Sequence, residues 1–257
     1  MKSKNIILDV GANYGGFSLE IAKRNPESII YAIEAEPGLA DYLKSKQNEL
    51  DLPNHITECF AVCEENGKSE FYVSELGDHG TSSLLPFSQS HIDNDSYWAD
   101  RKDLFHSRAV EVETKRLDTF LDTVEFKEID FIKIDVQGLD LSVLRSAGNY
   151  LEKIRAGMLE VPAITDKSLY ENTNDDMRIA LNYLFENGFQ VYSIKPNDEA
   201  SNEFNIYFIR NGENIHEIEQ ELNLQNFHFY DGKNFWHAPS HKLEFPEQHI
   251  INLNAVL

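Results

Sequence analysis

The chain has 257 residues and a mass of 29.5 kDa, the length of one decorated domain rather than of two generous ones. Its 23 Lys and Arg against 44 Asp and Glu leave a formal charge of −21, which opposes generic binding of nucleic acid or anionic membrane and suits a neutral or cationic small molecule. Hydrophobic residues reach 41%, which excludes disorder as the ground state, and no apolar run approaches the ~20 residues that span a bilayer.

Met1 to Asn5 runs directly into Ile6-Ile7-Leu8-Asp9 with no secretory signal, so a cytoplasmic chain is expected. Asn5–Val10 is a short apolar run ended by Gly11, the pattern of a buried strand. Phe17–Arg24 reads as a helix stopped by Asn25-Pro26, Ser28–Glu34 as a strand, and Leu39–Leu50 as a helix. Ile56–Val62 reads as a third strand, and Cys59 and Cys63 are expected to be buried bystanders of it. Three βα units in sequence predict a parallel sheet with right-handed crossovers.

The rhythm then breaks. Lys68–Val73 and Val110–Thr114 look like strands, and the polar stretch of about 74–109 between them reads as an active-site insertion. The βα pattern returns with a strand at Ile129–Asp135, a helix near Leu139–Ala147 and a strand at Arg155–Val161. Thr173-Asn174-Asp175-Asp176 resembles a capping box that opens a further helix, with Met177, Ala180, Leu181, Leu184 and Phe185 on one face and Gly188 beyond its end. Phe189–Ile194 and Phe204–Ile209 read as closing strands. Residues 1–210 thus form the expected main domain, and 211–257 a C-terminal extension with one helix at Ile215–Leu222 followed by aromatic loops, suited to domain packing or a homodimer contact.

The first strand ends Asp9-Val10-Gly11-Ala12-Asn13-Tyr14-Gly15-Gly16. Glycines at a strand-to-helix turn let backbone approach a ligand. Here Asn13 replaces the second glycine of a dinucleotide fingerprint, and Asp9 brings negative charge to the turn. That pattern disfavours pyrophosphate and suits the sulfonium and ammonium of S-adenosylmethionine. Glu34 ends the second strand 19 residues past Gly15, the spacing of an acid that grips a ribose diol, with Glu36 a near competitor. The structural alternative is that the glycines only make a tight turn and Glu34 caps a helix.

Leu8-Asp9-Val10-Gly11-Ala12-Asn13-Tyr14-Gly15, then Ala32-Ile33-Glu34, Ala61-Val62 and Ile129 through Lys133-Ile134-Asp135-Val136-Gln137-Gly138, together resemble the FkbM family of S-adenosylmethionine-dependent methyltransferases. The resemblance runs from about Ile6 to Val161. It implies an α/β class I methyltransferase (Rossmann-like) fold, with a mostly parallel central sheet, helices on both faces, the insertion and the C-terminal extension. It implies methyl transfer to a hydroxyl of a small molecule, with a sugar or nucleotide-linked sugar of a surface polysaccharide as the expected acceptor. The implied cofactor set is Asp9, Gly11, Ala12, Asn13, Gly15, Ser18, Glu34, Ala35, Ala61, Val62, Ser82, Ser83 and Val136. The family usually carries Glu where this chain has Gln137, and Gln cannot act as a base.

An alcohol needs a base, a metal or an orienting acceptor to become a good nucleophile. Asp135 lies where a strand should end beside the cofactor and fits any of these roles, or that of a helix cap. Lys133 shares its strand face, and His79 in the insertion is a second candidate for the proton. Glu160, at the end of the next strand, can pair with Lys133, help Asp135 hold a divalent cation, or join Gln137 at the acceptor. Arg101 and Arg108 lie in a run of basic residues that can bind an anionic acceptor or pair locally with acids. An NAD-dependent sugar oxidoreductase or epimerase, and a catalytically inactive binding subunit on the same fold, stand as alternatives.

Overall fold

A computed structural model of the chain describes residues 4–74, 79–94, 105–197 and 203–231. Seven strands form one sheet in the order β3-β2-β1-β7-β8-β10-β9. β1 (Ile6–Val10), β2 (Ile29–Glu34), β3 (His55–Cys59), β7 (Phe131–Ile134) and β8 (Ala156–Pro162) run parallel, while β10 (Glu203–Arg210) is antiparallel to both β8 and β9 (Phe189–Pro196). This is the class I methyltransferase sheet, mixed and mostly parallel. β1 is buried along its whole length, as expected of a central parallel strand covered on both faces.

Alternation along β1 divides the core. Ile6, Leu8 and Val10 face one side, with Ile132, Ile134, Leu159 and Phe208. That side is covered by α4 (Leu117–Leu121), α5 (Asp140–Arg145) and α6 (Met177–Glu186). Ile7 faces the other side, with Ile30, Phe131, Met158 and Tyr207, under α1 (Ser18–Arg24) and Leu43 of α2 (Pro37–Glu49). The C-terminal extension closes this second face. Ile218, Leu222, Leu224, Phe227 and Tyr230 are buried there, and the Tyr207 hydroxyl donates to the Tyr230 carbonyl at 2.6 Å.

Several expectations are corrected. The apolar run Ile56–Val62 is two strands, because Phe60 turns into the core against Phe120 and breaks the pairing. Residues 61 and 62 become β4 of a separate three-stranded sheet, ordered β4-β6-β5, with β5 at Gly67–Val73 and β6 at Arg108–Lys115. The second sheet buries Phe71, Val73 and Val112 on one face and leaves Lys68, Glu70, Glu111 and Glu113 exposed on the other. Cys59 and Cys63 are free and half-buried rather than buried. The cap of α6 is Asp176, which accepts from the Ile179 amide at 3.0 Å, whereas Thr173 is engaged by Ser168 and the Tyr170 carbonyl. The insertion contains a short helix, α3 (Gln89–Asn94), and a 3-10 turn at His79–Thr81. Among the described residues, no helix is long and apolar enough to cross a membrane.

Candidate active site

The strand order reverses between β1 and β7, and ligand crevices of open α/β sheets lie outside the C-terminal strand ends at that switch point. Two loops meet there. Gly11 and Gly15 have φ of +80°, and Asn13 joins them in the left-handed region at +49°. A Cβ on Gly11 would overlap the Asp135 carbonyl oxygen, so the turn after β1 touches the turn after β7.

Glu34 closes the turn from the β2 side. Its Oε2 accepts from the Asn13 amide at 2.7 Å and its Oε1 from the Glu36 amide at 2.8 Å. Burial pushes its carboxyl up to about 7, against the pull of those two amides. The Asn13 side-chain oxygen is buried with no hydrogen-bond partner. Glu36, the competitor for the ribose role, is engaged elsewhere: it caps α2 through the Leu39 amide at 2.7 Å and pairs with Arg108 at 2.9 Å.

Asp9 and Lys133 are register partners on β1 and β7. Lys133 Nζ lies 3.4 Å from Asp9 Oδ1 and 3.2 Å from Asp135 Oδ2. Burial pulls Lys133 down, but the Asp135 and Asp9 carboxylates outweigh it and hold the ammonium above the ordinary lysine range. Burial holds Asp9 above the usual carboxylate range despite Lys133. Asp9 also accepts from the Ser18 amide at 3.1 Å. One Asp9 oxygen thus faces Lys133 inside the sheet and the other the start of α1 beyond the turn, and Lys133 pairs with Asp9 and Asp135, not with Glu160.

On the far side of Asp135 the Gln137 Nε2 donates to Asp135 Oδ1 at 2.8 Å and to Glu160 Oε1 at 3.3 Å. Glu160 is buried, and burial followed by the charges of Asp135 and Glu203 drives its carboxyl well above the usual range. Asp140 carries the loop: it accepts from the Val136 amide at 3.1 Å and the Gly138 amide at 3.2 Å. Burial, then the Asp135 charge, lifts its carboxyl to about 7 against those amides.

The remaining expected residues fall as follows. Ala12, Ala35, Ala61 and Val62 are buried near the β1, β2 and β4 ends, and Val136 packs on the core below the turn. Ser82 Oγ accepts from the Ser74 amide, and Ser83 Oγ donates to the Gln137 carbonyl at 2.6 Å, so both build the insertion. His79 sets its ring edge-on to Tyr14 of the turn, 5.6 Å between centroids. The basic run is paired with acids: Arg108 with Glu36, Lys115 with Glu113 and Arg116 with Asp118. Arg101 and the aromatic segment beyond 231 lie outside the described residues. Among the described residues, no three His, Cys, Asp or Glu side chains converge in a way that could hold a metal.

Sequence reasoning missed Asp140 and Tyr170. Asp140 was readable as an acid in the first turn of a helix. Tyr170 carried no local signal; it is buried, and its hydroxyl donates to Gln137 Oε1 at 2.7 Å.

The pattern of the methyltransferase FkbM domain matches residues 9–229. Over 170 residues the chain is 26% identical to the 2-O-methyltransferase NoeI of Sinorhizobium fredii, covering 66% of this chain and 67% of that protein. It is 28% identical to the AMB antimetabolite synthetase AmbE of Pseudomonas aeruginosa, covering 80% of this chain but only 10% of that protein. Among solved structures, a methyltransferase FkbM from Methylobacillus flagellatus KT gives a TM-score of 0.49 at 14% identity, covering 80% of this chain and 43% of that one. M. capricolum TrmK bound to S-adenosyl-homocysteine gives 0.46 at 13% identity, covering 84% and 68%.

Proposed function

The chain belongs to the methyltransferase FkbM domain family, S-adenosylmethionine-dependent methyltransferases, and from that premise we propose that it methylates a hydroxyl of a sugar or sugar-bearing small molecule. The observation that carries the proposal is the contact of Gly11 with the Asp135 backbone, which brings Asp135 against the glycine turn after β1. The 2-O-methyltransferase relative supports oxygen as the acceptor atom.

The residues present fit the cofactor. The Gly11–Gly15 turn leaves an unpartnered buried acceptor on Asn13, and Glu34 offers a fixed carboxylate for a ribose diol. Those residues, with Ala12, Ala35, Ala61, Val62 and Val136, would hold it. S-adenosylmethionine supplies an electrophilic methyl group for in-line displacement. Asp135 accepts the hydrogen bond of the incoming hydroxyl, orients its oxygen, which is the larger part of what such a displacement asks of a protein, and takes up the proton that the hydroxyl gives up. Lys133, behind Asp135 at 3.2 Å, compensates the negative charge of Asp9 and Asp135 and anchors the carboxylate on its strand.

A neutral sugar is favoured over a nucleotide sugar among the described residues, because Arg108 is paired to Glu36 and the rim carries Asp135, Glu160 and Asp140. A diphosphate there would meet an acid-rich site whose Lys133 is already shared by Asp9 and Asp135.

The test is incubation of the full chain with methyl-labelled S-adenosylmethionine and a panel of neutral sugars, oligosaccharides and nucleotide sugars, with NMR assignment of the labelled position. A methyl ether on a neutral sugar supports the reading. Label found only on an amine or a carboxylate goes against it, and a methyl ether found only on a nucleotide sugar goes against the preference for a neutral one.

A further inference from the structure

Gln137 is the one residue of the Asp135–Gly138 loop whose side chain bridges two acids, and its backbone is held in a costly conformation to do so. Its φ is +61°, in the left-handed region that residues with a Cβ rarely enter, and such strain persists only where the surroundings impose it. Three neighbours impose it here. The Asp140 carboxylate takes the amides on either side, Ser83 Oγ donates to the Gln137 carbonyl, and the Tyr170 hydroxyl donates to its side-chain oxygen.

Tyr170 is itself fixed. Its ring stacks on Phe87 at 5.4 Å, Phe87 stacks on His106 at 4.0 Å, and His106 stacks on Tyr72 at 5.5 Å, with interplanar angles of 19°, 8° and 18°. Tyr170 Oη and His106 Nε2 also converge on the Thr81 carbonyl, at 3.1 and 3.0 Å. The stack therefore joins β5, the insertion and the segment after β8 to one side chain at the rim.

Asp135 sets the orientation of the carboxamide. With its oxygen toward Tyr170, its N–H groups face Asp135 and Glu160; flipped, its oxygen would lie against the Asp135 carboxylate. Both donors and an acceptor position are thus used within the protein.

We propose that Gln137 is a positioning residue for methyl transfer: its carboxamide, locked by Tyr170 and the aromatic stack, holds the Asp135 carboxylate in place beside the cofactor turn. This rests on the reading of Asp135 as the group that orients the acceptor. It assigns Gln137 to work through Asp135 rather than to touch the acceptor. Gln donates to both acids at once, whereas the Glu usual at this place in the family could donate only through a protonated oxygen.

The test has two arms, both on the full chain. In the kinetic arm, Gln137→Glu keeps the acceptor for Tyr170 and loses the donors to Asp135. Calorimetric affinity for S-adenosylmethionine stays within about threefold, while kcat falls at least about tenfold at unchanged acceptor KM. Tyr170→Phe gives a smaller fall of the same kind. An unchanged kcat in Gln137→Glu overturns the proposal. So does a loss confined to acceptor KM, which would make Gln137 a substrate-binding residue. If Gln137→Glu does not fold, Gln137→Met takes its place with the same expectations. The second arm needs no acceptor, so it stands even if the hydroxyl reading fails. Crystal structures of the natural chain and Gln137→Met, each with S-adenosylhomocysteine, are compared. The Asp135 carboxylate should swing by more than about 1 Å, a misplacement large enough to slow an oriented reaction. A carboxylate that stays where it is, held by Lys133 alone, overturns the proposal.

Discussion

Lys133 and Asp9 form an ion pair inside the sheet, directly across from one another on β7 and β1, with Lys133 Nζ 3.4 Å from Asp9 Oδ1. The Lys133 side chain is 7% exposed and that of Asp9 is not exposed at all. Removing one partner of a buried pair strands the other charge. Lys133→Met should therefore destabilise the fold by about 3–5 kcal/mol in urea unfolding. The double variant Lys133→Met with Asp9→Asn removes both charges and should recover much of that loss. A single Lys133→Met variant as stable as the natural chain would show that the pair does not hold β1 to β7.

Cofactor binding should release a proton at Glu34. In the free protein burial raises this carboxyl to about 7. Ribose hydroxyls donate to the ionised form and lower its pKa on binding, so the free protein holds the proton that the complex gives up. Affinity for S-adenosylmethionine should rise with pH up to about 7 and level off above it. Calorimetry at pH 6.5 in buffers of different ionisation enthalpy reads the released proton directly. Glu34→Gln should abolish the release and weaken binding by about 10- to 100-fold, the worth of a charged hydrogen bond. Equal proton release in the variant would move the effect to another group, with Asp140 the next candidate.

The turn after β1 was legible because local chemistry writes it: the apolar strand, the glycines and Asn13 in a left-handed position follow from short-range rules. Glu34 was legible from spacing along the chain. The pairing of Asp9 with Lys133 is not legible in the sequence, because it depends on the register of two strands whose paired residues stand 124 apart. Glu36 competed with Glu34 on paper until the helix start at Pro37 made it a cap. Tyr170 and Phe60 had no local signature at all. One acts across the rim on Gln137, and the other divides an apolar run between two sheets, and both effects exist only once distant segments pack.

His55, the first residue of β3, is fully buried, and neither ring nitrogen has a hydrogen-bond partner. Burial lowers its pKa to about 4, while the unfolded chain titrates near the ordinary 6.5. Between these values the unfolded state binds the extra proton, so stability falls as pH drops from about 6.5 to about 4 and this contribution is flat below. The span corresponds to about 3 kcal/mol at most. Glu34 and Asp140, raised to about 7, act in the opposite sense over part of that range, since the folded state holds their protons. The informative quantity is therefore the difference between the natural chain and His55→Phe. The variant should gain stability relative to the natural chain as the pH of urea unfolding is lowered from 7 to 5. A constant difference would mean that His55 does not titrate on unfolding.

The C-terminal segment reaches the glycine turn after β1 through Phe229, whose ring lies so close over Gly16 that any Cβ there would overlap it. Gly16 does not need its conformational freedom, since its φ is not positive, so the constraint comes from the ring alone. Gly16→Ala should then push Phe229 away and disturb the turn, at a cost of about 1–3 kcal/mol for overpacking. S-adenosylmethionine affinity should fall with it, because Gly15 and Asn13 belong to the same turn. Phe229→Ala leaves room for the new methyl group. In the double variant both stability and affinity should return to the level of Phe229→Ala alone, an interaction energy that a double-mutant cycle reads without further assumption. Additive losses would show that the ring and the glycine are not in contact, and that residues 228–231 close the second face of the sheet without touching the turn after β1.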